Sequence, residues 1–357
     1  MDEPRALELP AGADILADAR IDWKAKGGMS MKQILISGLA SLLAILLLPC
    51  GVRREAPQAR DIVILHELAL PAADEQPEAA PASTEETVCL LNGDTIETLP
   101  LSAYLTGVVL SEMPPEFAPE ALKAQAVAAR TFTQKRRQSA KHEHADVCAD
   151  SACCQAWSSE AALRERFGAD YDTYAEKARA AVEATRGEVL LYDGVLIDAT
   201  YFSCSGGRTE DAAAVWGAEV PYLQSVKSYG EENALRYASE KRFTPEALRA
   251  ALGGAALTGS PSAWFSDVTY TEGGGVNTMK IGQTCYTGTE LRRLLGLNST
   301  CFRVSADEDS VTFHVLGYGH RVGMSQYGAD YMARQGYDYR AILQYYYRGA
   351  ELKKTDK

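Results

Sequence analysis

Two groups of residues in this 357-residue chain are of types that do chemistry. The first is Glu112 in "LSEMPPEFAPEALKAQAVAARTF" (110–132), a single carboxylate set before Pro114 and Pro115. An alanine-rich segment carrying Lys123, Gln125 and Arg130 follows it. Val108, Val109 and Met113 lie beside the acid, and an apolar setting keeps a carboxyl protonated near neutral pH, as a general acid requires. Taken alone, a glutamate at a helix end is more often a solvated charge. The second group is "KHEHADVCADSACC" (141–154), where His142, Cys148 and Cys154 stand as H-x5-C-x5-C. Imidazole and thiolate are the donors zinc prefers, and three protein ligands with one open position is the pattern of a reactive metal site. His144 and Cys153 are additional donors. The alternative is a Cys148–Cys153 or Cys148–Cys154 disulfide in an oxidising compartment, with both histidines solvated.

Two later stretches add candidates. In "YFSCSGGRTEDA", Tyr201 and Ser205 suit hydrogen bonds to a sugar, and Gly206-Gly207 lets backbone approach a ligand closely. In "GYGHRVGMSQYGA", Gly317, Gly319 and Gly323 suggest a tight loop presenting His320, with Gln326 and Tyr327 behind it and Ser325 as a helix cap. Trp216 and Tyr222 are of the type that stacks on sugar faces, although aromatic residues are more commonly core. A plain strand end and turn is the duller reading of the first stretch.

The elements that must hold these residues alternate irregularly between helix and strand. "SAYLTGVVLSEM" and "APEALKAQAVAARTFTQKRRQ" read as helices, the second with Pro119 near its start. Residues 160–185 read as helix interrupted around Gly168, and "GEVLLYDGVLIDATYFSCSGG" as a hairpin turning at Asp193-Gly194. The helices "TPEALRAAL" and "GTELRRLLG", a strand near "NTMKI", paired strands "CFRVSA" and "SVTFHVLG", and a helical end complete the pattern. Without regular βαβ alternation, the fold class is α+β, mixed helices and antiparallel hairpins around a cleft.

Ahead of this lies a different kind of sequence. Residues 1–32 are a cytoplasmic segment or a mis-assigned extension, since "MSMKQILISGLA" reads as a natural start. Residues 33–52 hold no charge and are just long enough to span a bilayer as a signal-anchor, with a cleaved signal peptide as the rival. Residues 53–87 form a stalk and an acidic, proline-bearing linker, and 88–357 the catalytic domain. "DIVILHELAL" (61–70) is either a short strand or part of the stalk. The expected location is therefore the cell membrane, single-pass, with the domain on the wall side. Exported cysteines should be oxidised, metal-bound or buried; Cys285 and Cys301 bracket a helix and are able to pair. The net charge of -12, with no long basic run, excludes a nucleic-acid binder.

"YLTGVVLSEMPPEFAPEALKAQAVAARTF", "YFSCSGGRTEDAAAVW…PYL" and "GYGHRVGMSQYGADYMARQGYDYRAILQYYY" resemble, in order, three signature segments of the stage II sporulation protein D family. The resemblance covers roughly residues 88–350. It implies a membrane-anchored lytic transglycosylase acting on peptidoglycan glycan strands, with Glu112 as acid and then base. It implies also a zinc on His142, Cys148 and Cys154 beside Glu112, with the fourth position left to that glutamate or a water. A nearby cation favours the ionised carboxylate and opposes a protonated acid, so a structural or positioning role is the preferred reading. Lys123 and Arg130, seven apart and on one helical face, would meet lactyl carboxylates of a peptide-stripped strand; Gln125 points about 200° from Lys123. Cys204 stands where the family leads one to expect a small hydroxyl residue. The implied partners are a membrane-anchored amidase/endopeptidase and a polytopic membrane protein of the engulfment machinery. Wider relatives described as amidase enhancers keep a non-enzymatic role open, and a zinc amidase or peptidase is a further alternative, disfavoured by the lack of HExxH.

Overall fold

Asn92-Gly93-Asp94-Thr95 closes the first hairpin of the fold: β1 (Thr87–Asn92) and β2 (Thr95–Pro100) pair antiparallel about it. The structure is a computed structural model and describes residues 85–355. The proposed anchor, the "DIVILHELAL" segment and most of the linker lie outside the described residues. Among the described residues, no helix is long and apolar enough to cross a membrane.

Prolines punctuate the first two helices. Pro100 precedes α1 (Leu101–Glu112), and Met113 leaves the helix for an extended conformation (φ -115°, ψ 144°), as the residue before a proline is pressed to do. α2 (Pro119–Gln138) restarts with Pro119 at its first turn, where the missing N–H costs nothing. Glu112 is thus the last residue of a helix that a proline stops. β3 (Val147–Cys148) adds parallel to β1. α3 (Glu160–Phe167) ends at Gly168 (φ +55°), and after a 3₁₀ turn the chain resumes as α4 (Tyr171–Ala184). β4 (Glu188–Tyr192) and β5 (Val195–Leu196) form the expected hairpin, with Asp193 and Gly194 both at positive φ, as its two-residue turn demands.

That hairpin is shorter than the sequence suggests. β6 (Tyr201–Phe202) leaves it to pair, parallel, with a strand more than a hundred residues later. After α5 (Ala212–Trp216) the chain builds a second region. It consists of β7 (Ala238–Phe243), α6 (Pro245–Ala251), β8 (Phe265–Tyr270), β9 (Val276–Ile281), β10 (Thr284–Thr287), α7 (Gly288–Leu295), β11 (Phe302–Ala306) and β12 (Val311–Leu316). Its two antiparallel sheets run β10-β9-β8 and β11-β12-β7. The chain then returns through β13 (Met324–Ser325), the partner of β6, to α8 (Gln326–Arg334), α9 (Tyr339–Tyr346) and β14 (Glu351–Lys354), which pairs with β4. The α+β class is as expected.

Two apolar cores result. The first surrounds α2, whose Ala121, Ala124, Ala126, Ala128 and Ala129 are all fully buried; α1, α4, α8, α9 and β4 all pack on that helix. Small side chains let so many neighbours approach one axis at native packing density. The second core lies among β7–β12, α6 and α7. All seven cysteines among the described residues are free, so Cys285 and Cys301 do not pair, and Cys285 is exposed.

Candidate active site

Glu112 sits where α1 stops, with its carboxyl taken into a polar pocket rather than into solvent. Its Oε1 accepts the Ala156 N–H at 2.7 Å, and its Oε2 lies 3.4 Å from the donating Gln326 Nε2. Burial raises its proton affinity above the ordinary glutamate value, with the two hydrogen bonds opposing. Desolvation prevails, because an ionised carboxylate loses more hydration here than two donors return.

Ala156 ends the Cys-rich loop, and the residue before it is a second anchor. Gln155 is buried; its Oε1 accepts the Tyr201 hydroxyl at 2.8 Å, and its Nε2 donates to Tyr104 Oη and Thr133 Oγ1 at 3.1 and 3.2 Å. Tyr201 thereby reaches from β6 to the pocket, where burial and the neighbouring Glu112 push its hydroxyl well above the usual range. Gln125, fully buried on α2, lies beside that same hydroxyl. Its amide has no well-formed hydrogen bond among the described residues. The fold therefore brings Glu112, Gln125, Tyr201 and Gln326 together from four separate elements.

The loop itself gathers four donors. His142 Nε2 is 3.5 Å from both Cys153 Sγ and Cys154 Sγ, and with Cys148 all four donor atoms lie within 4.8 Å of one another. The edges of a tetrahedral zinc site with these ligands are about 3.6 to 3.8 Å, so the set fits a metal. Cys153 joins the three residues expected from the spacing, while His144 is exposed. The structure thus gathers a fourth donor beside the three that the spacing suggested. Glu112 is not in the group.

The family profile described as "Stage II sporulation protein" matches residues 92–192, which hold both Glu112 and this cluster. Stage II sporulation protein D of Bacillus subtilis (strain 168) is 40% identical over 265 residues, 73% of this chain and 77% of that protein. The chain belongs to the stage II sporulation protein D family. The protein of that name from Bacillus amyloliquefaciens is 35% identical over 338 residues, 90% of this chain and 95% of its own length. The amidase enhancer of Bacillus subtilis (strain 168) is 29% identical over 308 residues, covering 70% of this chain and 40% of that protein.

Within this family member, other expected site residues take different roles. Arg130 is buried, its guanidinium donating to the carbonyls of Val182, Thr185 and Glu188 at 3.0, 2.6 and 3.3 Å. It closes the C-terminal end of α4, where unpaired carbonyls attract a cation, and is not available to a substrate carboxylate. Lys123 is paired with Glu120 at 2.6 Å and lies over the Tyr339 ring. The helical spacing is right, but Arg130 is buried and the partly exposed Lys123 is engaged by Glu120. Ser205 is likewise internal: its hydroxyl donates to Glu231 Oε2 at 2.7 Å.

Glu231 is the residue that sequence reasoning missed. Its buried carboxylate accepts from the backbone N–H groups of Ser205, Gly206 and Gly207 and from the hydroxyls of Ser228 and Ser325. The Gly206-Gly207 turn does approach an anion closely, and the anion is the protein's own. The second glycine loop serves the same packing. Gly317 and Gly323 (both φ +83°) press on the 200–205 segment, where a Cβ would meet Ser205 O at 2.7 Å and Thr200 O at 2.1 Å. His320 packs its ring against Phe202 and Trp216, accepts the Val322 N–H on Nδ1, and is held neutral by burial, pulled down to about 4. Cys204 is buried and its thiol pushed up to about 11 by desolvation, an inert packing residue. No local signal in the sequence marks Glu231 or Gln155; only their long-range partners give them meaning.

Proposed function

We propose that this protein is a peptidoglycan lytic transglycosylase that cuts the MurNAc–GlcNAc β-1,4 bond of peptide-stripped strands and leaves 1,6-anhydro ends. The observation that carries the reading is the isolation of Glu112. Its hydrogen-bond partners among the described residues are the Ala156 N–H and Gln326, neither of them an acid, and burial raises its proton affinity. Hydrolysis of a glycosidic bond generally employs two carboxyl groups, one of which attacks or activates water. Transglycosylation needs one: protonated Glu112 gives its proton to the leaving sugar oxygen, and the carboxylate then takes the C6 hydroxyl proton of the muramoyl residue as that oxygen closes on C1. A raised proton affinity favours the first step near neutral pH. In this reading Tyr201 and Gln326 hold the carboxyl's surroundings.

A zinc bound by His142, Cys148, Cys153 and Cys154 would fasten the loop from which Gln155 and Ala156 reach the pocket. The role is one of position, since four protein donors leave no open site. Metal analysis of protein purified without added zinc should find one equivalent in wild type and a loss in Cys148→Ser. The same reading assigns the chain a membrane anchor at 33–52, a place on the wall side in septal remodelling and engulfment, and partners in an amidase/endopeptidase and a polytopic membrane protein.

The deciding assay is digestion of purified, peptide-free glycan strands by the full chain, with product masses as readout. Anhydro ends from wild type and none from Glu112→Gln support the proposal; hydrated reducing ends overturn it. The sequence likeness to a protein named amidase enhancer favours one other reading, wall binding without cleavage, in which wild type and Glu112→Gln bind alike and neither cuts.

A further inference from the structure

Three neighbouring strands of the second region each present one residue of a hydrogen-bonded relay on their solvent face. The Ser305 hydroxyl of β11 lies 2.8 Å from His314 Nε2 on β12, and His314 Nδ1 lies 2.9 Å from Glu240 Oε1 on β7. An ionised carboxylate only accepts, so Glu240 fixes the imidazole proton on Nδ1 and leaves Nε2 to accept from the serine. That is the order in which an acid, a base and a hydroxyl nucleophile are coupled. None of the three belongs to the Glu112 pocket or to the Cys-rich loop.

The arrangement follows from register. β12 is the central strand of the β11-β12-β7 sheet; its Val311, Phe313 and Val315 are buried, and the pleat turns Thr312 and His314 outward. Glu240 stands directly opposite His314, and Ser305, opposite Thr312, is its diagonal neighbour, a separation that a long side chain spans. Arg303, opposite His314 on the other side, extends towards the Tyr270 ring and leaves Nε2 to Ser305. All three relay residues are exposed, and each is carried by a regular strand, which holds it more firmly than a loop would. A donor for a developing oxyanion stands beside the serine. β11 is an edge strand. The Leu316 N–H donates to the Cys301 carbonyl and the Asp307 N–H to the Ser310 carbonyl. Positions 301, 303, 305 and 307 therefore form the hydrogen-bonded pairs, and the alternate N–H of Ala306 points away from β12. The amide that follows a nucleophile is a recurrent oxyanion donor.

We propose that Ser305, His314 and Glu240 are the nucleophile, base and orienting acid of a serine esterase that removes O-acyl groups from sugar hydroxyls. His314 Nε2 takes the Ser305 proton as Oγ bonds to the acyl carbon. The bond from that carbon to the sugar oxygen breaks, and the sugar oxygen leaves with the proton. Water then attacks the acyl-serine, returns a proton through Nε2 to Oγ, and releases the carboxylic acid. The relay lies on an exposed strand face, a setting that an ester carried on a polymer can reach. For the identity of that polymer the proposal rests on the transglycosylase reading. Ring closure there uses the C6 hydroxyl of the muramoyl residue, and an acyl group on that oxygen blocks it. The esterase frees the attacking group on which Glu112 depends.

The test uses the full-length Glu112→Gln protein, which leaves strands intact, and two probes. One is a fluorophosphonate, read as adduct mass; the other is peptide-free glycan bearing C6 O-acetyl groups, read as released acetate. The adduct should fall on Ser305 and be absent after Ser305→Ala. Adding His314→Gln should slow labelling and acetate release about 10²-fold, and Glu240→Gln should slow them less. These side chains are exposed, so the variants should melt as the parent does. No adduct on Ser305, or acetate release that survives Ser305→Ala, overturns the esterase. An adduct that needs His314, without acetate release, upholds the nucleophile and overturns the glycan ester as its substrate. If wild type makes no anhydro ends from unacetylated strands while acetate release still needs Ser305, the transglycosylase reading falls and the esterase stands. Anhydro ends without labelling at Ser305 give the reverse.

Discussion

The second core sets Phe243, Phe265 and Phe302 edge-on around Phe313 and buries little that is polar beyond Ser299, Thr300 and Ser310. The first core and its seam bury Gln125, Arg130, Gln155, Glu210, Glu231 and Arg321 among aliphatic side chains. Aromatic packing of the first kind needs shape and volume; buried polar networks of the second kind are costly unless every partner is present. The chain spends stability where atoms must be held in register, around the Glu112 pocket and the two glycine loops. Its other half is stabilised chiefly by packing.

The largest effect that would break this contrast belongs to Glu112. Glu112→Gln should lower anhydro-product formation by about 10³-fold while leaving the Ala156 hydrogen bond in place. Because folding raises the affinity of this carboxyl for its proton, the buried group costs nothing while it is protonated in both states and destabilises the fold as pH rises past its folded pKa. Glu112→Gln should therefore melt about 2 °C higher than wild type at alkaline pH and at the same temperature in acid. Equal melting at all pH values would mean that the pocket is not desolvated.

Next come two stability variants of similar size and different cause. Phe313→Ala leaves a cavity and should cost about 3–5 kcal/mol. Arg321→Ala strands the Glu210 carboxylate and should cost about as much. Only the second should be rescued by a further change: Glu210→Gln with Arg321→Met removes both charges and should recover most of the loss in a denaturant titration. Failure of that rescue would show that the seam depends on the arginine's contacts with backbone carbonyls rather than on charge balance.

A smaller, pH-dependent effect marks His320. Its folded pKa is pulled down to about 4 from an ordinary 6.5, so the unfolded chain binds the extra proton first. Stability from this group is full above about pH 6.5 and is lost as pH falls towards 4. Thermal melting across that window should be steeper for wild type than for His320→Gln. Smallest of all, Gln155→Leu should cost about 1 kcal/mol through its lost hydrogen bonds yet reduce turnover about tenfold, because Tyr201 loses its fixed partner. Full turnover in that variant would reduce the buried network of the first core to mere scaffolding.

Much of the local structure is legible in the sequence because its causes are local. Pro114 stops α1 at Glu112, Pro119 starts α2, and Asp193-Gly194 turns the β4–β5 hairpin, each through the backbone preferences of one or two residues. Ser325 caps α8 as its position suggests. The opening β1–β2 hairpin has an equally local cause, the turn at Gly93 (φ +60°), which sequence reasoning missed. The early end of the second hairpin at β6 has none, since pairing with β13 depends on residues 123 positions away. The site is legible in its residue types and misleading in its partners. Heptad spacing puts Arg130 and Lys123 on a common face, but the end of α4 engages the first and Glu120 the second.

Chain order alone determined that one acid would stand at a proline-stopped helix end and that histidine and thiols would crowd the loop after it, because backbone geometry and donor chemistry act over short spans. Tertiary structure decided that Cys153 joins the donor cluster and that Glu231 rather than a ligand fills the glycine nest. Those outcomes turn on which groups, distant in sequence, lose their water together, and no short stretch of residues records that.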